Sequence, residues 1–168
     1  EPLRLMVDLP NDIRIVDFFI HRPGGKLIVA SHGGNGFVVP EDDVVAQTRA
    51  GKQVLNVRGD VAALVCKPVV GDAVATVGEN RKVLVFDVED LPVMSRGKGV
   101  RIQKYKDGGL ADVTTFKAED GLSFVDTSDR TNSVADWEIL EGKRAGAGRM
   151  APRGFARGGR FAPDHRLK

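Results

Sequence analysis

A turn glycine followed by lysine recurs at Gly51, Gly97 and Gly142, 46 and 45 residues apart. An aspartate closing a returning strand recurs at Asp43, Asp90 and Asp136, 47 and 46 residues apart. Two independent landmarks with one period near 46 residues restrict the fold severely. A unit of that length, with about four short strands and several Gly/Asp turns, is the signature of a bladed or solenoid all-β architecture in which each unit packs its sheet on its neighbours.

The chain between the landmarks reads as strands and turns. Lys26–Ala30 and Phe37–Val39 are apolar runs joined by His32-Gly33-Gly34-Asn35-Gly36, and a hairpin turn with positive φ needs Gly or Asn. Val61–Lys67, Ala73–Val77, Lys82–Phe86, Leu110–Lys117 and Leu122–Asp126 follow as strands, with a further return strand to Asp136-Trp137. Upstream, Pro2–Leu9 and Ile13–Ile20 are also strand-like. No amphipathic helix exceeds a turn or two. Asp42–Arg49 is a weak helical candidate whose Val44-Val45 pair fits a strand equally well. A WD propeller needs a Trp-Asp pair in each blade, whereas the single Trp137 is preceded by aspartate.

The central unit, Ser95–Tyr105, carries the chemistry. Within Arg96–Lys106 stand five bases (Arg96, Lys98, Arg101, Lys104, Lys106) and no acid, around two glycines that allow backbone N–H groups close to a ligand. A solvated turn explains an isolated Arg-Gly-Lys-Gly; its repetition in the neighbouring units favours a surface for a polyanion. The net charge of +2 hides a division: residues 1–143 hold 18 Lys/Arg against 22 Asp/Glu, whereas residues 144–168 hold seven bases against Asp164 alone. Average charge therefore does not predict a nucleic-acid partner, and the cations are judged by where they cluster. The divided charge also sets two regions: β blades over residues 1–143 and a flexible basic Gly/Arg-rich tail over residues 144–168, which Phe155 and Phe161 would pin to the body. Cys66, the single cysteine, forms no internal disulfide and points to a buried thiol in a reducing, cytosolic compartment. No run of eighteen apolar residues occurs, so no membrane span is expected. A chain that starts at Glu1 reads as a piece of a longer protein.

Three runs, GFVVPEDDVVAQTRAGKQVLN, VGENRKVLVF and MSRGKGVRIQKYKDGGLADVTTF, resemble the C-terminal domain of bacterial type IIA topoisomerase A subunits, the topoisomerase IV branch most closely. The resemblance covers Leu3 to Phe161. It implies a β-pinwheel, a propeller-like disc of four-stranded blades that exchange a strand between neighbours, with double-stranded DNA bent around a basic rim. Three to four repeats then represent part of a larger disc or a member with fewer blades. Gyrase A chains carry a heptad box, QRRGGKG; here the nearest match, Ser95-Arg96-Gly97-Lys98-Gly99, lacks its leading Gln-Arg and one glycine, which favours presentation of a transport segment for decatenation and relaxation over gyrase-type wrapping.

Carried over position by position, the resemblance assigns DNA contacts to Arg96, Lys98 and Arg101, with Lys104 and Lys106 beside them. Arg49 and Lys52 correspond in the preceding unit and Lys143 and Arg144 in the following one, with Arg81 and Lys82 at a hairpin tip as a second tier. It implies no cofactor and no catalysis by this piece: the strand-cleaving tyrosine of the family lies in another domain, so Tyr105 is a packing or stacking residue. The implied partners are the remainder of the topoisomerase IV A chain, through it the B chain that carries the ATPase, and DNA in the cytoplasmic nucleoid. A docking platform for a regulatory, chromosome-segregation or replication protein is the alternative. His21, His32 and His165 lack metal-ligand spacing, and Gly33-Gly34-Asn35-Gly36 fits neither GxxxxGK[ST] nor GxGxxG.

Overall fold

A computed structural model describes residues 15–17, 19–155 and 160–161. The chain is all-β. β1 (Lys26–Ser31), β2 (Asn35–Pro40), β3 (Ala63–Pro68) and β6 (Val100–Arg101) form one four-stranded sheet in the order β3-β1-β2-β6. β4 (Ala73–Gly78), β5 (Lys82–Asp87), β7 (Leu110–Phe116) and β10 (Arg149–Met150) form a second in the order β10-β5-β4-β7. β8 (Leu122–Val125) and β9 (Thr131–Val134) make a two-stranded hairpin, and Phe161 adds a bridge to Phe124 on the β8 side.

The strands expected from Lys26 to Asp126 agree with those observed to within a residue or two, whereas the return strand expected to reach Asp136-Trp137 ends at Val134 and Trp137 opens a 3₁₀ turn. Each returning strand is followed by one helical turn, α1 (Glu41–Val44) and 3₁₀ turns at Val88–Asp90 and Trp137–Leu140, where the periodic aspartates lie at or just before the turn. The helical candidate Asp42–Arg49 is thus a single turn. Of the strand expected over Ile13–Ile20, residues 15–17 and 19–20 carry no strand pairing; residues 13, 14 and 18, like Pro2–Leu9, lie outside the described residues.

Strand alternation explains the stacking. In β1 and β2, Leu27, Val29, Phe37 and Val39 point to one face and pack with Val44, Val54 and Leu55. Ile28, Ala30 and Val38 point to the other and meet Val74, Leu84, Phe86 and Leu110 of the second sheet. The far face of that sheet, Ala73, Ala75, Val77, Val83 and Val85, meets Leu122, Phe124, Trp137, Phe155 and Phe161. The hairpin strands are therefore apolar on both faces, as strands between two layers must be. Trp137 meets Phe116 edge-on with centroids 5.2 Å apart, and Phe155 lies between Phe124 and Phe161 at 5.1 and 5.6 Å.

Each four-stranded sheet is completed by a strand from the next repeat. β6, which follows the second hairpin, pairs with β2 of the first (Gly36 opposite Val100); β10, which follows the third, pairs with β5 of the second (Val83 opposite Arg149). A glycine enters each donated strand with positive φ, Gly99 at 78° and Gly148 at 77°. A Cβ at Gly99 would stand 2.3 Å from the Gly36 carbonyl oxygen, and one at Gly148 would stand 2.5 Å from that of Val83. Only glycine fits this seat. The stretch read from composition as a flexible tail thus contributes a sheet strand at Arg149–Met150, and its Phe155 and Phe161 are buried.

The third hairpin is closed by Asp126, whose carboxylate accepts from the Ser128 and Arg130 amides at 2.7 and 3.0 Å and from Asn132 Nδ2 at 2.8 Å. The bonds from Arg130, Ser128 and Asn132 hold this carboxyl below the usual aspartate range. Because the folded value is depressed, the stabilisation is complete above the unfolded value of about 3.9 and is lost as pH falls through the folded one. A pH titration followed by NMR is expected to show Asp126 ionising below that value, with the Ser128 and Arg130 amides shifting in step. Titration at or above it would contradict the turn.

Candidate nucleic-acid interface

The segments that follow the three hairpins lie side by side and form one continuous band. The Gly97 amide donates to Val54 O (2.9 Å) and the Asn56 amide to Gly97 O (2.8 Å), joining the first segment to the second. The Ala145 amide donates to Ile102 O (3.1 Å) and the Lys104 amide to Gly146 O (3.0 Å), joining the second to the third. Arg144 Nη1 adds a bond to Arg101 O at 2.7 Å.

This pairing brings Arg49, Lys52, Arg96, Lys98, Arg101, Lys104, Lys143 and Arg144 onto neighbouring segments. All are exposed except Arg144, which is half-buried where it caps Arg101. Lys106 is exposed in the bend that follows. None of Arg96, Lys98, Arg101, Lys104 and Lys106 forms an ion pair with a described residue, so their charge is available to a ligand. Lys52 Nζ donates to the Asp43 carbonyl. Arg81 and Lys82 differ in kind. Arg81 is partly buried and its Nη2 donates to Phe155 O at 2.9 Å; Lys82 is partly buried at the start of β5. Arg81 thus ties the end of the chain to the second hairpin.

The backbone bonds set the correspondence between repeats. Val54 O and Asn56 N bracket Gly97 as Ile102 O and Lys104 N bracket Ala145 and Gly146. Residues 54 and 102 are therefore counterparts, and Gly51, Gly99 and Gly148, with φ of 85°, 78° and 77°, share one position. Of the glycine-lysine landmarks, Gly51 stands at this position, whereas Gly97 and Gly142 precede it by two and six residues in their repeats. In the third repeat the positions of Lys98 and Arg101 are taken by Ala147 and Met150, and Arg149, exposed on β10, stands where the second has Val100. The band is most basic at its centre.

Beneath that centre sits Gln103, fully buried, which sequence reading passed over. Its Oε1 accepts from Thr76 Oγ1 (2.9 Å) and Tyr105 OH (3.2 Å), and its Nε2 donates to Lys82 O (2.9 Å) and Ala147 O (3.1 Å). One amide thus satisfies groups from β4, β5 and the third segment and fixes the band on the sheet. Its available signal was a lone neutral amide next to Ile102 in an otherwise cationic run. The Tyr105 ring lies against Gly34 and Gly78 at the tips of the first two hairpins, and burial pushes its phenol well above the usual range. The same tips are joined by His32 Nε2 and Glu79 Oε1 at 3.0 Å, while Glu79 Oε2 accepts the Gly109 amide at 2.9 Å; these bonds hold the Glu79 carboxyl below its ordinary value.

A family model described as the DNA gyrase C-terminal domain, beta-propeller, matches residues 25–65 and 72–116. The A chain of DNA topoisomerase 4 from Caulobacter vibrioides is 47% identical over 163 residues, 97% of this chain and 21% of that protein. Its counterpart from Rickettsia bellii is 39% identical over 162 residues, 96% of this chain and 22% of that protein. The chain therefore spans about a fifth of the length of these curated relatives. Among solved structures, the E. coli ParC C-terminal domain superposes with a TM-score of 0.79 at 25% identity, covering 94% of this chain and 67% of that one.

Proposed function

The chain belongs to the family of DNA gyrase C-terminal domains, and on that premise we propose that it binds and bends duplex DNA along the band that crosses its three repeats. The observation carrying this reading is the run of five exposed cations without an ion-pair partner among the described residues, on a body that is otherwise mildly acidic. Lys and Arg side chains on phosphates give affinity with little sequence information, and bending cost supplies what preference there is. Within a larger topoisomerase the domain presents a transport segment for decatenation and relaxation, beside the rest of its own A chain and the ATPase-bearing B chain, in the nucleoid. Strand cleavage and ATP hydrolysis belong to those other parts.

A salt series tests the interface. With about five phosphates neutralised, log affinity against log salt is expected to fall with a slope of about −4.5. Changing Arg96, Lys98 and Arg101 together to alanine is expected to make that slope shallower by about 2.7, and changing Arg81 to leave it unaltered. A slope indifferent to the triple change, with the fold intact, would move the DNA site away from this band.

A further inference from the structure

Beneath the basic band, the joint between the two four-stranded sheets carries one buried amide that has no counterpart in the neighbouring repeats. Gln103 follows β6, the strand that completes the first sheet, and reaches into the second. Its Oε1 accepts from Thr76 Oγ1 of β4 at 2.9 Å, and its Nε2 donates to Lys82 O of β5 at 2.9 Å. The same Nε2 donates to Ala147 O at 3.1 Å, beside Gly148, where a Cβ would stand 2.9 Å from it. In the register set by the backbone bonds, its counterparts in the first and third repeats are Leu55 and Pro152. Neither side chain can donate or accept a hydrogen bond. Apolar side chains pack at a range of angles, whereas bonds to three fixed groups admit one.

Given the band as the DNA surface, on which this inference rests, we propose that Gln103 is a positioning residue that sets the path of bound DNA and, through it, the choice of sequence. Arg96, Lys98, Arg101 and Lys104 ride on the segment that β6 anchors to the first sheet, and Lys143 and Arg144 on the segment that β10 anchors to the second. The angle that Gln103 fixes between the sheets is therefore the angle between two rows of phosphate contacts. DNA laid across both rows must take that curvature, and the cost of doing so depends on its sequence, being least at flexible TA and CA/TG steps. Gln103 itself is fully buried. It acts through the carbonyls of Lys82 and Ala147 and touches no nucleotide.

The full chain is mixed with a duplex of about 20 base pairs that carries a fluorophore at each end. Wild-type protein is expected to raise energy transfer between the ends, and to bind a duplex with central TA and CA/TG steps more tightly than one with a central A-tract. Gln103→Met keeps the length of the side chain and removes its hydrogen bonds. It is expected to lose most of the rise and most of the preference, while the slope of log affinity against log salt stays as in the wild type, because the cations are the same. Val29→Ala opens a cavity on the face of β1 that points away from the joint. It is expected to keep both the rise and the preference in the folded protein, which separates positioning from general destabilisation. A rise and preference unchanged in Gln103→Met, or lost equally in Val29→Ala, would overturn the proposal and leave the DNA surface standing. A wild-type chain that binds neither duplex would strike the DNA surface itself, and this inference with it. Should Gln103→Met fail to fold, Thr76→Val with Tyr105→Phe takes both donors from Oε1 and leaves the amide in place. That pair is expected to lower the rise in part, and no change there would overturn the proposal equally.

Discussion

Gly99→Val is expected to destabilise the protein by about 3–5 kcal/mol, because two costs fall on one residue. A branched side chain at φ 78° costs about 1–2 kcal/mol by itself. The remainder comes from the seat: the new Cβ would stand 2.3 Å from Gly36 O, 2.5 Å from Gly36 C and 2.8 Å from Phe37 Cδ1, and Phe37 is fully buried. None of these atoms is the end of a flexible chain, so β6 must leave β2. For a domain of this size the loss corresponds to a fall in Tm on the order of 10 °C. Gly51→Val separates the two costs. It has the same backbone conformation with open space around it, and is expected to cost only about 1–2 kcal/mol. Thermal unfolding of the two variants side by side gives the comparison; equal losses would mean that Gly99 is needed for its turn alone, and that the strand seat contributes nothing. With β6 displaced, hydrogen exchange is expected to accelerate at the Ile102 amide, which donates to Gly34 O at 2.8 Å.

The hairpins were legible in sequence and the exchange was not, for a physical reason. β1, β2, β4 and β5 are apolar runs bounded by Gly, Asn and Pro, and both faces of each are buried, so local composition and tertiary packing agree. β6 and β10 are only two residues long and are held through backbone bonds, which leave little trace in side-chain pattern. The glycine-lysine pairs gave the right period but, past the first repeat, a register offset by a few residues, because the glycine that the fold needs in the central unit is Gly99, and the one followed by lysine in a recognisable motif is Gly97. The segment after Arg144 reads as a solvated arm from its Gly, Arg and Pro content. Two aromatic side chains, Phe155 and Phe161, 2% and 3% exposed, dominate its placement, outweighing the composition around them. Arg96, Lys98, Arg101, Lys104, Arg49 and Lys52 were legible as exposed groups, and the fold sets them on one band. Arg81 stood apart from them in sequence as a hairpin-tip residue of a second tier, but its actual partner was not legible there, because that partner is a carbonyl 74 residues away.

Asp112→Ala is expected to cost about 3–5 kcal/mol, since it removes a buried anion from three donors at once. Asp112 is 5% exposed on β7. Its Oδ1 accepts from Lys67 Nζ of β3 at 3.0 Å and from the Val113 amide at 2.9 Å, and its Oδ2 accepts from the Phe161 amide at 3.0 Å. One carboxylate thus links the first sheet, the second sheet and the segment that closes the third hairpin. Alanine leaves the Lys67 ammonium, only 23% exposed, without its counter-charge and the Phe161 amide without an acceptor. Asp112→Asn keeps the shape and one acceptor oxygen, and is expected to recover roughly half of the loss. Lys67→Met in the Asp112→Ala background is also expected to recover part of it, because the stranded cation goes with its partner. Urea unfolding followed by the fluorescence of Trp137, which packs in the same cluster as Phe155 and Phe161, measures all three. Release of Phe161 is expected to speed proteolysis beyond Phe155, whereas the salt slope for DNA should not change in the folded protein, since Asp112 lies in no part of the basic band. A loss below about 1 kcal/mol in Asp112→Ala would mean that the aromatic cluster alone seats the end of the chain.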